Sequence, residues 1–74
     1  MPDVHLDCKH MNCPMPIIKL SKAMRALDVG QVVEIEATDP AFESDIRAWV
    51  NHLGHELENF EEGDVARASV RKRS

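Results

Sequence analysis

The sequence is poor in the parts from which large cores are built. Its 74 residues contain no tyrosine, one tryptophan (Trp49) and two phenylalanines (Phe42 and Phe60), so 4% of the chain is aromatic. A chain of this length buries only about 60% of the surface it exposes when unfolded. An enclosed cofactor pocket, which usually spans roughly several hundred Å3, has little room here. No cofactor is expected, and a carrier, adaptor or small binding module fits better than a self-contained enzyme. Long apolar runs are also missing. No stretch of about 18 apolar residues occurs, so no membrane-spanning helix is expected. The opening MPDVHLDCKH carries Asp3 and Asp7 and lacks the apolar segment of a signal peptide. A cytoplasmic location follows as an expectation, and with it two reduced thiols, Cys8 and Cys13, rather than a structural disulfide. Positive charge is in deficit as well. Nine Lys+Arg against 13 Asp+Glu leave a net charge of −4. Sequence-independent nucleic-acid binding needs the opposite sign, so direct nucleic-acid binding is not expected. The short basic run Arg71-Lys72-Arg73 reads as a solvated end.

What the chain does have is regular punctuation. There are no repeats and no linker, and residues 1–74 read as one domain. Val4 to Asp7 alternates as a short strand with Val4 and Leu6 on one face. Cys8 to Asn12 reads as a connection. Cys13-Pro14 opens a helix with an apolar stripe of Ile17, Leu20, Met24 and Leu27. Asp28-Val29-Gly30 ends it. Gln31 to Ala37 forms a second strand, with Glu34 and Glu36 opposite Val33, Ile35 and Ala37. Asp39-Pro40 opens a second helix: Asp suits the cap, and Pro suits the first helical position. Its stripe is Phe42, Ile46, Trp49 and Leu53, and Gly54 ends it. Trp49 reads as a core anchor of this helix. His55 to Phe60 is a third strand, the weakest in alternation, and Val65 to Arg71 a fourth. The order β-α-β-α-β-β predicts an α/β two-layer sandwich, with two helices on one face of a mixed four-stranded sheet. The other face, with His5, Glu34, Glu36, Glu56, Glu58, Arg67 and Arg71, is too polar to bury.

The two helix starts differ in one informative way. Aspartate is a favoured cap; cysteine is not. A thiol at a helix start meets unpaired N–H groups and about half a positive charge, which favours the thiolate. The expectation is that Cys13 sits at the tip of a pedestal stiffened by Pro14 and Pro16. First-turn amides, those of Met15 and Ile17 among them, would stabilise its anion, with a weak field from Lys19. No histidine–acid pair is recognisable as a base for it. Such a thiol suits persulfide or thiol exchange better than acyl transfer. The alternative is a small residue tucked beside the sheet.

Leu6-Asp7-Cys8-Lys9-His10-Met11-Asn12-Cys13-Pro14-Met15-Pro16 resembles the signature of the TusA-like (SirA/YeeD/YedF) sulfur-carrier family, approximately L-D-x-x-G-L-x-C-P-x-P. The likeness continues through Gly30, through Thr38-Asp39-Pro40 with Asp45-Ile46, and through Gly54-His55-Glu56. The resemblance implies the same two-layer fold, similar to the C-terminal domain of a bacterial translation initiation factor. It implies that Cys13 accepts sulfane sulfur as a persulfide from a cysteine desulfurase or a rhodanese and relays it to an acceptor protein. The destinations it implies are tRNA thiolation, molybdenum-cofactor assembly and sulfur oxidation. Docking would fall to Lys9, His10, Met11, Asn12, Met15 and Lys19 around the cysteine, on a chain expected to be a monomer. His10 stands where the family pattern has Gly, and Met11 where it has Leu. If that position needs a positive φ, His adopts it at a cost.

Other readings compete. His5, Cys8, His10 and Cys13 make a two-His, two-Cys set, but crowded into one short segment where structural zinc sites use separated pairs, so no metal is expected. Cys8 reads as a small residue closing the first strand. It could instead resolve a Cys13 persulfide, making a thiol–disulfide switch. A small regulatory or nucleic-acid-binding module is the remaining alternative.

Overall fold

The computed structural model describes residues 2–74. Its elements run β1 (Val4–Cys8), α1 (Met15–Ala26), β2 (Val32–Ala37), α2 (Phe42–Leu53), β3 (Glu56–Glu61) and β4 (Ala66–Arg71). The sheet order is β1-β2-β4-β3. β1 runs parallel to β2, and β4 is antiparallel to both β2 and β3. The expected α/β sandwich, a mixed four-stranded sheet with two helices, is the architecture found.

The core lies between the helices and the inward side of the sheet. Val33, Ile35 and Ala37 of β2 meet Ala68 and Val70 of β4, and Leu20, Met24, Phe42 and Ile46 close over them. Phe42 stacks on Phe60 with ring centroids 6.0 Å apart, and Arg47 lies over the outer Phe60 ring at 5.3 Å. The outward side is a ladder of charge. His5 lies between Glu34 and Glu36 at 2.9 and 3.0 Å, Arg67 reaches Glu36 at 2.9 Å, and Arg71 reaches Glu58 at 2.5 Å. Such exposed pairs satisfy the solvated face rather than drive folding.

Several boundaries differ from the sequence expectation. The first strand extends one residue further, and Cys8 is its fully buried last residue. α1 ends at Ala26, and Leu27 leaves in an extended conformation. In α2 the buried set is Phe42, Ile46 and Val50. Leu53, on the last turn of α2, is exposed. Trp49 is half-buried against the core and donates Nε1–H to Ser21 Oγ at 3.0 Å, tying the two helices together. The weak alternation of β3 has a cause. The register shifts between Leu57 and Asn59, so Leu57 faces Val70 and Phe60 faces Ala68 with Glu58 as the extra residue of a bulge.

The basic run is not a free tail. Arg71 pairs with Glu58, and Arg73 with Glu56. Lys72 Nζ donates to the carbonyls of Met24 and Leu27 at 3.0 and 2.7 Å. It thereby satisfies the open C-terminal end of α1 from across the molecule, where a cation is favoured. Among the described residues no helix is long and apolar enough to cross a membrane.

Candidate functional site

β1 and β2 are parallel neighbours in the register Cys8↔Ala37. The loops that follow them therefore leave the same end of the sheet side by side. Polar residues in both loops join them. His10 N–H donates to Thr38 Oγ1 at 2.9 Å, and Cys13 N–H donates to Asp39 Oδ2 at 2.7 Å. The other oxygen of Asp39 accepts from Ala41 N–H at 3.2 Å, and its carbonyl accepts from Phe42 N–H at 3.0 Å. The expected cap is not found: the cap of α2 is Ala41, without a side-chain hydrogen bond, and Asp39 and Pro40 lie in the turn before it, where Asp39 bonds the amides of Cys13 and Ala41. It thereby holds the cysteine loop. Crevices at the carboxyl ends of parallel strands are where open α/β sheets place their ligands.

Cys13 is exposed, whereas Cys8 is buried. The tip position expected for Cys13 is what the structure shows. The helix start differs. Pro14, joined to Cys13 by a cis peptide bond, is the N-cap of α1, and Met15 and Pro16 are its first helical residues. Cys13 therefore lies one residue outside the cap. Met15 N–H is engaged by the carbonyl of Asn12 at 2.8 Å and is not free for the thiolate. Pro16 is fully buried as a wedge under the loop, and Ile17 packs on the core.

The electrostatics run opposite to the expected direction. The Cys13 thiol is raised above its ordinary value, first by the neighbouring Asp45 carboxylate, then by burial and by the charge of Asp39. Cys13 Sγ and one oxygen each of Asp39 and Asp45 lie within 4.8 Å of one another. Lys19 does not help: its charge acts on Cys8, whose thiol burial pushes up and Lys19 pulls down. A carboxylate from α2, Asp45, thus lies near the thiol. One exposed thiol and two carboxylates are a weak donor set for a soft ion, and no second feature there points to one. The His5, Cys8, His10, Cys13 set does not converge. His5 lies on the outward side of the sheet with Glu34 and Glu36, and Cys8 is in the core.

The remaining residues singled out in the sequence divide into two groups. His10, Asn12, Pro14 and Met15 are exposed around Cys13, with Met15 43% exposed and Ile18 beside it on α1 at 44%. His10 holds a φ of 66°, the strained conformation that Gly would adopt freely. Met11 packs against the core instead of projecting. Lys9 turns to the charged side of the sheet, 3.1 Å from Asp7 and 3.6 Å from Glu36. Lys19, Lys22 and Arg25 form the exposed face of α1, which carries no acidic residue. A groove of about 360 Å3 opens at the other end of the helices, between Met24, Trp49, Leu53 and Lys72, and Cys13 does not line it.

Comparison with known proteins agrees with this geometry. The chain is 42% identical over 71 residues to YrkI of Bacillus subtilis, covering 95% of each. It is 38% identical over 71 residues to the sulfur carrier protein TusA of Allochromatium vinosum, covering 95% of this chain and 93% of that one. The crystal structure of a SirA-like protein from Desulfitobacterium hafniense shares the fold, with a TM-score of 0.82 over 96% of this chain and 99% of the other at 18% identity. The sulfurtransferase TusA profile matches residues 4–72, and the chain belongs to that family.

Proposed function

We propose that the protein is a sulfur carrier in which Cys13 accepts sulfane sulfur as a persulfide and passes it to an acceptor protein. The donor is a cysteine desulfurase or a rhodanese. The observation that carries the reading is an exposed cysteine on the loop between β1 and α1, in a chain whose relatives include named sulfur carriers. An exposed sulfur on a tip, away from any deep cleft, suits a group that must enter two partner active sites in turn. Pro14 and the buried Pro16 stiffen the tip. His10, Asn12, Met15 and Lys19 are the near docking surface, while Lys9 and Met11 shape it from below. The carrier works as a monomer. The acceptor belongs to tRNA thiolation, molybdenum-cofactor assembly or sulfur oxidation, and the partner that fits this surface sets which.

A Cys8/Cys13 switch finds no support, since Cys8 is a core residue with no exposed surface. A nucleic-acid role finds none either, because Arg71, Lys72 and Arg73 are engaged within the chain. The test is mass spectrometry after incubation with a cysteine desulfurase and cysteine. The wild type gains one sulfur, lost on reduction, and Cys13→Ala gains none. Sulfur on Cys8 with Cys13 unmodified would overturn the reading.

A further inference from the structure

The feature left unexplained by a simple carrier is the acidic surrounding of its thiol. A carrier that relied on a standing thiolate would place cations around Cys13. The structure places Asp39 and Asp45 there. The lysines of the loop and of α1 are directed elsewhere. Lys9, on the cysteine's own loop, is engaged with Asp7 and Glu36, the backbone of His10 is held by Thr38, and Lys19 on α1 acts on Cys8. From β2 and the turn after it comes Asp39, already bonded to the amides of Cys13 and Ala41. That leaves Asp45, a half-buried residue near the start of α2, as the carboxylate facing the sulfur without a backbone duty.

We infer that Asp45 is a catalytic residue: it takes the proton from Cys13 as sulfur arrives and returns it as sulfur leaves. The inference rests on the reading of Cys13 as the sulfur-bearing residue. In the loading step, Cys13 Sγ attacks the outer sulfur of a donor persulfide, R–S–SH. A new Sγ–S bond forms, the donor S–S bond breaks, and its electron pair leaves on the donor thiolate, R–S⁻. The proton on Sγ passes to the Asp45 carboxylate. The products are Cys13–S–SH, R–S⁻ and a neutral Asp45. Hydrogen and charge balance, and the sulfane sulfur changes owner without any outside oxidant or reductant. In the unloading step an acceptor thiolate attacks the outer sulfur, Cys13 leaves, and the proton on Asp45 returns to Sγ. The carboxylate need not deprotonate a resting thiol. A thiol forming a new bond to sulfur becomes strongly acidic as the bond grows, and a base in contact collects the proton at that moment. When unloaded, the cysteine rests as a thiol, which protects an exposed sulfur from stray electrophiles and oxidants.

This arrangement makes two readouts move in opposite directions. Removing the Asp45 charge should raise the thiolate fraction, and so the alkylation of Cys13 by iodoacetamide at pH 7, by roughly three- to tenfold. It should also slow sulfur loading from a desulfurase by about 100-fold. The experiment is therefore Asp45→Asn, with alkylation followed from pH 6 to 10 by mass spectrometry and loading followed in parallel on the same protein. Cys8 unlabelled in the same spectra reports an intact fold. Asp45→Glu, which keeps a carboxylate, should hold alkylation near the wild-type profile and restore loading to within about tenfold. Loading by Asp45→Asn at or above the wild-type rate, with a more reactive thiol, overturns the inference. Sulfur gained by Cys13→Ala overturns the underlying carrier reading instead, whatever Asp45→Asn does.

Discussion

Cys8 and Cys13 belong to one short stretch of chain and carry the same side chain, yet the fold uses them in opposite ways. Cys8 ends β1 inside the core, opposite Ala37 of the neighbouring strand. Cys13 stands on the loop beyond it, exposed. Both thiols are raised above their ordinary values, for different reasons. Burial is the first cause at Cys8, and the neighbouring Asp45 carboxylate is the first cause at Cys13. A raised thiol is therefore not a mark of an inert one. Burial removes the sulfur from all chemistry, whereas a carboxylate neighbour leaves it accessible and supplies a destination for its proton.

The sharpest way to break this contrast is to swap the roles. Cys13→Ser should abolish sulfur loading and shift the urea unfolding free energy by no more than about 0.5 kcal/mol, as an exposed substitution does. Cys8→Ser should keep loading and lose about 1–3 kcal/mol, because the hydroxyl enters an apolar site. If Cys8→Ser also lost loading, the division between core and site would be wrong. The next effect is smaller. Asp39→Ala removes an acceptor from two amides, those of Cys13 and Ala41. It should cost about 1 kcal/mol in urea titration, the usual net worth of such hydrogen bonds, and loosen the Cys13 loop.

Two further changes test the scaffold apart from the site. Lys72→Met strips the ammonium from the Met24 and Leu27 carbonyls at the end of α1. A loss of about 0.3–1 kcal/mol is expected, with Cys13 alkylation unchanged. The smallest effect concerns acid. Glu36 is held below its usual value of 4.5, first by the hydrogen bond from Arg67. A depressed carboxyl stabilises the folded state fully above its unfolded value, and that stabilisation is lost as pH falls through the lower folded value. Glu36→Gln should therefore lower the thermal midpoint slightly at pH 7 and make no difference below both values. A gain at pH 7 would show that the charge ladder on the open face does not support the sheet.

Much of the fold could be read from the chain because its signals are local. The order of elements, the α1 stripe from Leu20 to Met24 and the alternation of β2 and β4 follow from the spacing of apolar residues. β3 was harder: a single inserted residue at Glu58 breaks the period that reveals a strand, and only pairing with β4 restores it. In α2 the spacing favoured Leu53, whereas Val50 is the residue that the fold buries. At the site, Cys13 and its prolines were legible, and so was the strain at His10 once a family pattern set Gly there. The field around Cys13 was not. Asp39 and Asp45 lie far along the chain and meet the thiol only because β1 and β2 are parallel and in register. Asp39-Pro40 reads locally as the start of a helix, but the helix begins only at Phe42, and Asp39 holds the cysteine loop instead. The nearest basic residue on the same helix, Lys19, drew attention to a cation that the fold gives to the other cysteine.

The placement of β4 has a consequence for how the protein comes into being. It follows β3 along the chain and yet lies in the interior of the sheet, between β2 and β3. While a ribosome is still making it, β1-β2 and β3 exist as separate pieces with unpaired edges, of the kind that invite pairing with other chains. The residue that closes α1, Lys72, emerges later still. The cysteine is thus synthesised well before the residue that completes its supporting helix. A chain in which β4 has not yet inserted leaves both the middle of the sheet and the end of α1 open.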